Sequence, residues 1–376
     1  MKLELDWRVH SQLLRDKLIR VQKHPTLDLF IANYTKQVQF DKLWDVHPLL
    51  VHCRGLIWDD DYNIVARPFR KFFNLGEHQG PLPVGPFEVT DKMDGSLGIL
   101  YWTKQGPFIA TRGSFESEQA DAANDILWSK YLDKHIDLDS MGRDVTLLFE
   151  IIYPENRIVV NYGDQRDLVF ITAIDNETGR DIPSYRDWMA RLGFPVVAVY
   201  DNFASIEALV NNANASEKLV SGLHHPDFIF EGYVVRWPGH DDYRLKVKLD
   251  EYLRLHKLMT GVTARRVWEV MSAGDDLNKW LDKVPDEFAQ WVLNEAAHLT
   301  VQFKGKLDLA MWCFEDIIHK FEGSAYPDRK QFAAEAIKHE QRDILFAMYD
   351  HKKFDHMIWK RIKPAAETPF KKSEEQ

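Results

Sequence analysis

Lys92 stands in the run Asp91-Lys92-Met93-Asp94-Gly95-Ser96, between Phe87-Glu88-Val89-Thr90 and Leu97-Gly98-Ile99-Leu100-Tyr101-Trp102. Both flanks are β-branched, aromatic and apolar, which predicts a strand-turn-strand hairpin in which Gly95 allows a tight turn and close approach of the backbone to a ligand. A lysine amine is a nucleophile only where burial or neighbouring cations favour its neutral form. Glu150 lies in Thr146-Leu147-Leu148-Phe149-Glu150-Ile151-Ile152-Tyr153, and Glu231 in the equally apolar stretch from Phe228 to Trp237. A carboxylate in such a run is expected to be paired, protonated or on a metal, because an unpaired buried charge is expensive. In Tyr243-Arg244-Leu245-Lys246-Val247-Lys248, strand alternation sets Lys246 and Lys248 on one face. Two lysines side by side repel unless they share an anion, and a phosphate suits that geometry. Each motif alone also fits a plainer role: Lys-x-Asp-Gly a solvated turn, Glu150 a side chain pointing to water, Arg70-Lys71 the exposed charges of an amphipathic strand.

The elements that would position these groups follow from pattern. Residues 1 to about 50 predict a helix near Val9–Gln22 and a strand near Leu29–Tyr34. Cys53–Trp58 and Asn63–Pro68 flank an Asp59-Asp60-Asp61 turn and read as a hairpin with arginines at two of its ends, Arg54 and Arg67. Arg70-Lys71-Phe72-Phe73-Asn74 sets a basic pair beside two aromatics. Further strands are expected over Pro107–Ser114, Arg157–Tyr162 and Asp167–Asp175. Ser117 has N-cap chemistry for a helix to about Leu132, and helices are expected near Ser184–Leu192 and Ile206–Asn212. His224-His225-Pro226 has no third ligand at a metal spacing. After Asp250 the period changes. Phe288, Trp291, Val292, Ala296, Leu299, Phe303, Leu307, Met311, Phe314, Ile318 and Phe321 form the stripe of one long amphipathic helix, with Pro285 and Asp286 suited to its first turn. Shorter helices are expected near Ala264–Met271, Asp275–Lys283, Arg329–Tyr349 and Phe354–Ile362, with a basic tail after Lys352.

A chain of 376 residues, 45% hydrophobic, can bury the core of two domains. No apolar run approaches a membrane span, and the start has no signal-peptide core, so neither a membrane partner nor export is expected. Cys53 and Cys313 are too few for a disulfide framework and fit a reducing cytoplasm. A formal net charge of −10 argues against a general nucleic-acid coat while leaving room for a locally basic groove.

In order, the chain presents Arg54-Gly55, Lys71-Phe72-Phe73-Asn74, Lys92-x-Asp94-Gly95, Phe149-Glu150, Glu231-Gly232-Tyr233-Val234 and Lys246-x-Lys248. This series resembles the covalent nucleotidyltransferases, the superfamily of ATP-dependent ligases and mRNA capping enzymes. Within it the chain is most similar to RNA ligases of the T-even phage type, which repair broken tRNA. Cys53-Arg54-Gly55, Ser117-Glu118-Gln119-Ala120, Asn156-Arg157-Ile158-Val159 and Asn176-Glu177-Thr178-Gly179 resemble that subgroup. The resemblance implies an α+β fold, with a nucleotidyltransferase domain of antiparallel sheets and flanking helices at 1–252 (N-terminal segment 1–50 included) and an all-helical domain at 253–376 concerned with RNA specificity.

It implies that Lys92 takes AMP from ATP and that the AMP passes to an RNA 5′-phosphate, which a 3′-hydroxyl then joins. The catalytic group would be Lys92, Asp94, Gly95, Glu231, Lys246 and Lys248. ATP would be bound by Arg54, Lys71, Phe73, Arg112, Glu150 and Tyr252 together with Lys246 and Lys248, and Mg2+ or Mn2+ by Glu150, Glu231 and Asp275. Arg112 departs from the T-even pattern, which has lysine there; a phosphate contact survives that change, but a role needing a compact ammonium does not. The implied partner is RNA with 5′-phosphate and 3′-hydroxyl ends, such as a cleaved tRNA, handled by a monomer in the cytoplasm of a phage host. DNA ligase, GTP-using capping-type enzyme and non-catalytic RNA-binding relative are the alternatives.

Overall fold

Period-two stretches become strands and the period of 3.6 becomes helices, in two separate units, Met1–His256 and Lys257–Gln376. The computed structural model describes residues 3, 5–77, 80–132, 142–200, 203–212, 230–250, 252–253, 256, 261–282, 284, 288–321 and 326–365. The expectations for His224, His225, Phe228, Ile229, Pro285, Asp286 and the end of the basic tail lie outside them. The fold class is α+β, as expected: antiparallel sheets in the first unit and, among the described residues, helices alone in the second.

The described residues of the first unit form three sheets. β1 (Ile19–Lys23), β2 (Leu29–Tyr34), β3 (Arg54–Asp59) and β4 (Ile64–Ala66) form an antiparallel meander. The expected helix at Val9–Gln22 is shorter, Trp7–Arg15, because Lys17 takes a left-handed conformation and the apolar residues from Leu18 onward alternate into β1. β7 (Ser96–Thr103), β8 (Gly106–Ala110), β9 (Val145–Ile152) and β10 (Asp167–Asp175) form the second sheet, in the order β10-β9-β7-β8. β5 (Phe73–Asn74), β6 (Glu88–Lys92), β11 (Val199–Tyr200), β12 (Gly232–Trp237) and β13 (Tyr243–Lys248) form the third, ordered β11-β6-β12-β13-β5. All its pairings are antiparallel except β13 with β5.

One face of the second sheet packs under the Glu118–Ile126 and Tyr185–Arg191 helices, through Ile126, Phe149, Phe170 and Met189. Ile99, Tyr101 and Leu148 on its other face meet Ile31 and Ile57 of the first sheet. Ser117 caps its helix as expected, its hydroxyl accepting the Ala120 N–H at 3.1 Å.

Two expectations fail informatively. β6 and β7 do not form a hairpin: β6 pairs with β12 and β11, while β7 pairs with β8 and β9, so Met93-Asp94-Gly95 carries the chain from one sheet to another. And residues 157–162 are no strand. Val159 and Val160 give their N–H groups to the Asp94 carboxylate, both at 2.8 Å, in place of a neighbouring strand.

The second unit contains helices Ala264–Ala273, Leu277–Leu281, Ala289–His319, Arg329–Ala336, Arg342–Tyr349 and Asp355–Arg361. The long one follows the expected stripe, burying Val292, Ala296 and Leu299. The expected helix Arg329–Tyr349 is two: Phe332 and Ala336 of the first, and Leu345 of the second, cover one part of the long helix, while Ile344 turns to Ala310 and Ile358.

Candidate active site

Three strands of the third sheet align the expected site residues. Their register pairs Lys92 with Gly232 and Gly232 with Lys248, then Thr90 with Val234 and Val234 with Lys246, then Glu88 with Arg236 and Arg236 with Arg244. Alternation sets these residues two apart, so all three rows share one face. That face looks into a cavity of about 180 Å³ whose opposite wall is the second sheet, through Leu97, Glu150, Ile171 and Thr172. This is well below the ~300–1,000 Å³ of sites that enclose a drug-sized ligand, so it holds a group the size of a nucleobase.

At one end, Glu231 binds two lysines at once: Oε2 meets Lys92 Nζ at 2.7 Å and Oε1 meets Lys248 Nζ at 2.8 Å. The carboxylate is nearly sealed from water, at 4% side-chain exposure, so the bridge is strong and both its oxygens are committed. Gly232 next to it is required. Its φ is +139°, and a Cβ there would lie 2.1 Å from the Val247 carbonyl oxygen.

Behind Lys92 the turn is fastened from several segments. Asp94, buried, accepts the Val159 and Val160 amides on Oδ2 and the Tyr252 hydroxyl on Oδ1 at 2.7 Å. Its own N–H donates to the Tyr162 hydroxyl at 2.8 Å. Gly95 donates to Glu150 Oε1 at 3.0 Å, and a Cβ on it would lie 2.6 Å from the Ile151 carbonyl. Asn156 reaches Ser96 and the Ile151 carbonyl. Asp94, Gly95 and Tyr252 therefore position the lysine; the carboxylate is spent on hydrogen bonds to the fold.

Glu150 and Lys246 carry the largest electrostatic burden. Burial pushes the Glu150 carboxyl up to about 7, with Glu231 and Asp94 adding to the rise and Lys92 and the Gly95 amide opposing it. Burial, then Arg54, Lys92, Lys71 and Lys248, hold Lys246 well below the ordinary lysine range, its Nζ 5.1 Å from the Phe72 ring centre. Arg54 lines the cavity. Lys71 donates to Gln39 at 2.7 Å inside a cage of Tyr34, Trp44 and Phe73 rings, 5.3–5.6 Å from its Nζ.

Phe73, expected in the nucleotide pocket, thus belongs to that cage; its neighbour Phe72 lines the cavity, since successive strand residues face opposite ways. Arg112 is exposed and is not among the cavity-lining residues; its backbone sits against Gly55, which takes a φ of +93°. Asp275 belongs to the second unit, just past the left-handed Gly274 that ends a helix. Among the described residues no three His, Cys, Asp or Glu side chains converge as a metal cluster. Arg236, Arg244, Asp181 and Arg186 line the cavity without belonging to any expected motif, although the spacing Arg244-x-Lys246-x-Lys248 already places Arg244 on the lysine face.

Residues 52–253 match the family model described as RNA ligase. An RNA ligase of Rhodothermus phage RM378 is 22% identical over 391 aligned positions, covering 86% of this chain and 85% of that protein. A protein designated a bifunctional polynucleotide kinase/RNA ligase, from Autographa californica nuclear polyhedrosis virus, is 27% identical over 263 positions; these are 64% of this chain but span only 35% of that protein. A solved archaeal ATP-dependent RNA ligase is 14% identical with a TM-score of 0.42, over 77% of this chain and 75% of that one. No helix among the described residues is long and apolar enough to cross a membrane.

Proposed function

The chain belongs to the RNA ligase family, and on that premise we propose that it joins RNA 5′-phosphate and 3′-hydroxyl ends at the expense of ATP, with Lys92 as the nucleophile. The observation that carries this reading is the row Lys92-Gly232-Lys248 with Glu231 bridging both amines beside a base-sized cavity. The Lys92 nitrogen attacks the α-phosphorus of ATP, a P–N bond forms, the bond to the β-phosphate oxygen breaks, and pyrophosphate leaves. Glu231 Oε2, already on the amine, is the nearest base for its proton. An RNA 5′-phosphate oxygen then displaces lysine from the AMP phosphorus. Finally a 3′-hydroxyl attacks the RNA phosphorus and AMP departs.

All three steps are in-line displacements at phosphorus, so positioning and charge neutralisation do most of the work. Lys246, Lys248 and Arg54 stand where the phosphates would lie, and Lys71 extends that basic end. A divalent cation fits Glu150, whose carboxyl is raised by burial and has room for a counter-charge; it fits Glu231 poorly, since lysines hold both oxygens. With so few protein ligands, nucleotide oxygens would complete its shell, and Mg2+ or Mn2+ would neutralise the leaving pyrophosphate.

The helical unit would supply RNA specificity, and cleaved tRNA is the substrate this reading favours. The enzyme would act as a monomer in the cytoplasm of a phage host; of this, the phage setting is supported by the RM378 relative.

Incubation with α-labelled ATP and Mg2+ should leave label on the protein, and Lys92→Ala should leave none while unfolding at the same temperature within a few degrees. An undiminished adduct in Lys92→Ala would overturn the mechanism. Sealing of nicked DNA with no sealing of 5′-phosphorylated single-stranded RNA would overturn the substrate.

A further inference from the structure

The far end of the cavity floor, formed by Arg236 and Arg244 of the row Glu88-Arg236-Arg244, lies four residues along the strands from Lys92, about 13 Å. That is the length over which a nucleoside monophosphate reaches from phosphate to base edge. Between the two ends the walls turn apolar, with Val234 on the floor and Ile171 and Val197 facing it from across the cavity, a slot for a flat aromatic ring. What closes the slot is Asp181, brought by the turn after β10, and Arg186, from the first turn of the following helix; both line the same cavity.

Asp181 is 5% exposed, and its two oxygens are used unequally. Oδ2 accepts from Arg244 and from the Thr172 hydroxyl, the latter at 3.1 Å, while Oδ1, buried, has no hydrogen-bond partner among the described residues. Arg186 Nε is buried in the same condition. Leaving a buried polar group unmade costs about 1–3 kcal/mol, and two such groups of opposite sense beside one cavity make a pattern that a ligand edge would complete.

We propose that Asp181 and Arg186 read the base of the nucleotide, and that they select adenine. Oδ1 is a lone acceptor and Nε–H a lone donor. Adenine presents an exocyclic N6 amine beside an unprotonated ring nitrogen, the complementary pair. Guanine presents O6 where adenine has the amine, which would set a carbonyl oxygen against a carboxylate oxygen. Its N1–H and N2–H would need both Asp181 oxygens, and Arg244 with Thr172 holds one of them. Nucleotide choice is therefore made by a carboxylate outside the lysine and glutamate motifs, and one oriented by an arginine of β13, the strand that also carries Lys246 and Lys248.

This inference rests on the ATP reading above, and the test separates the two. Self-labelling rates of the wild-type protein are compared for ATP, GTP and purine riboside triphosphate, which lacks only the N6 amine. Wild type should favour ATP over the purine analogue by roughly ten- to hundred-fold, the discrimination worth of a good base contact. In Asp181→Asn the amide oxygen takes the place held by Arg244 and Thr172, so an NH2 faces the base; the preference for ATP over the analogue should vanish and the ratio of GTP to ATP labelling should rise. Equal labelling of wild type by ATP and the analogue, a comparison that needs no variant to fold, would overturn the proposal, as would an unchanged ratio in folded Asp181→Asn. Absence of any wild-type adduct would instead overturn the ATP reading, and this one with it.

Discussion

The two ends of one sheet face are both crowded with cations, yet they are balanced differently. The two arginines of the far row are matched by acids: Asp242 at 2.5 Å, Glu88 at 2.7 Å and Asp181 at 3.7 Å surround the Arg236 guanidinium, and Arg244 is bound to Asp181. Around Lys246 the charges do not balance. Glu231 serves Lys92 and Lys248, while Arg54, Lys71, Lys92 and Lys248 all press on Lys246. Matched charges brace the fold; surplus positive charge is where, on the proposed function, an anionic substrate would complete the structure. The difference explains why a protein with a net charge of −10 can handle polyphosphates.

Breaking each end should give opposite phenotypes. Arg236→Met takes the shared cation from Glu88 and Asp242 and leaves Asp181 to Arg244 alone, and urea unfolding should show a loss of about 3–5 kcal/mol, the usual result of removing one partner of a buried ionic cluster. Lys246→Met should leave urea stability equal or slightly higher, because it relieves a buried, repelled cation, while the rate of self-adenylylation falls roughly a hundredfold. If the lysine variant unfolds and the arginine variant does not, the contrast between the ends is wrong.

The smallest effect concerns Glu150 and is a matter of pH. Its folded value of about 7 lies above its ordinary 4.5, so between these the folded chain holds a proton that the unfolded chain releases. Stability from this group is therefore present below pH 4.5 and lost as pH rises through 7. Measured in chelator, Glu150→Gln should gain on the order of 1 kcal/mol over wild type at pH 8 and nothing at pH 4, so that the two melting curves meet on acidification. Parallel curves at all pH values would show that burial does not raise this carboxyl.

Much of this arrangement is legible in the sequence. β2 and β13 have the bounds that alternation predicts, and Lys246 and Lys248 share a face for the same local reason. The long helix is written in its stripe, which needs only near neighbours to be meaningful. What escapes is long-range. A turn signal at Asp94-Gly95 says that the chain bends, not which strands it will join, so the passage between two sheets reads as a hairpin. The stretch 157–162 is apolar and β-branched enough for a strand, but its amides serve a carboxylate some sixty-five residues away. Lys71 carries no mark of Tyr34 and Trp44 in its neighbourhood, and Asp181 none of Arg244.

The fastening of Asp94 has a bearing on biosynthesis. Its three side-chain hydrogen bonds among the described residues come from residues 159, 160 and 252, so the proposed nucleophile is made early in the chain and its alignment late. A nascent protein emerging from the ribosome displays Lys92 long before Tyr252 has been translated. On the proposed mechanism the amine would become competent only once Tyr252 has closed on the turn, so a prematurely terminated chain would carry Lys92 without the means to charge it.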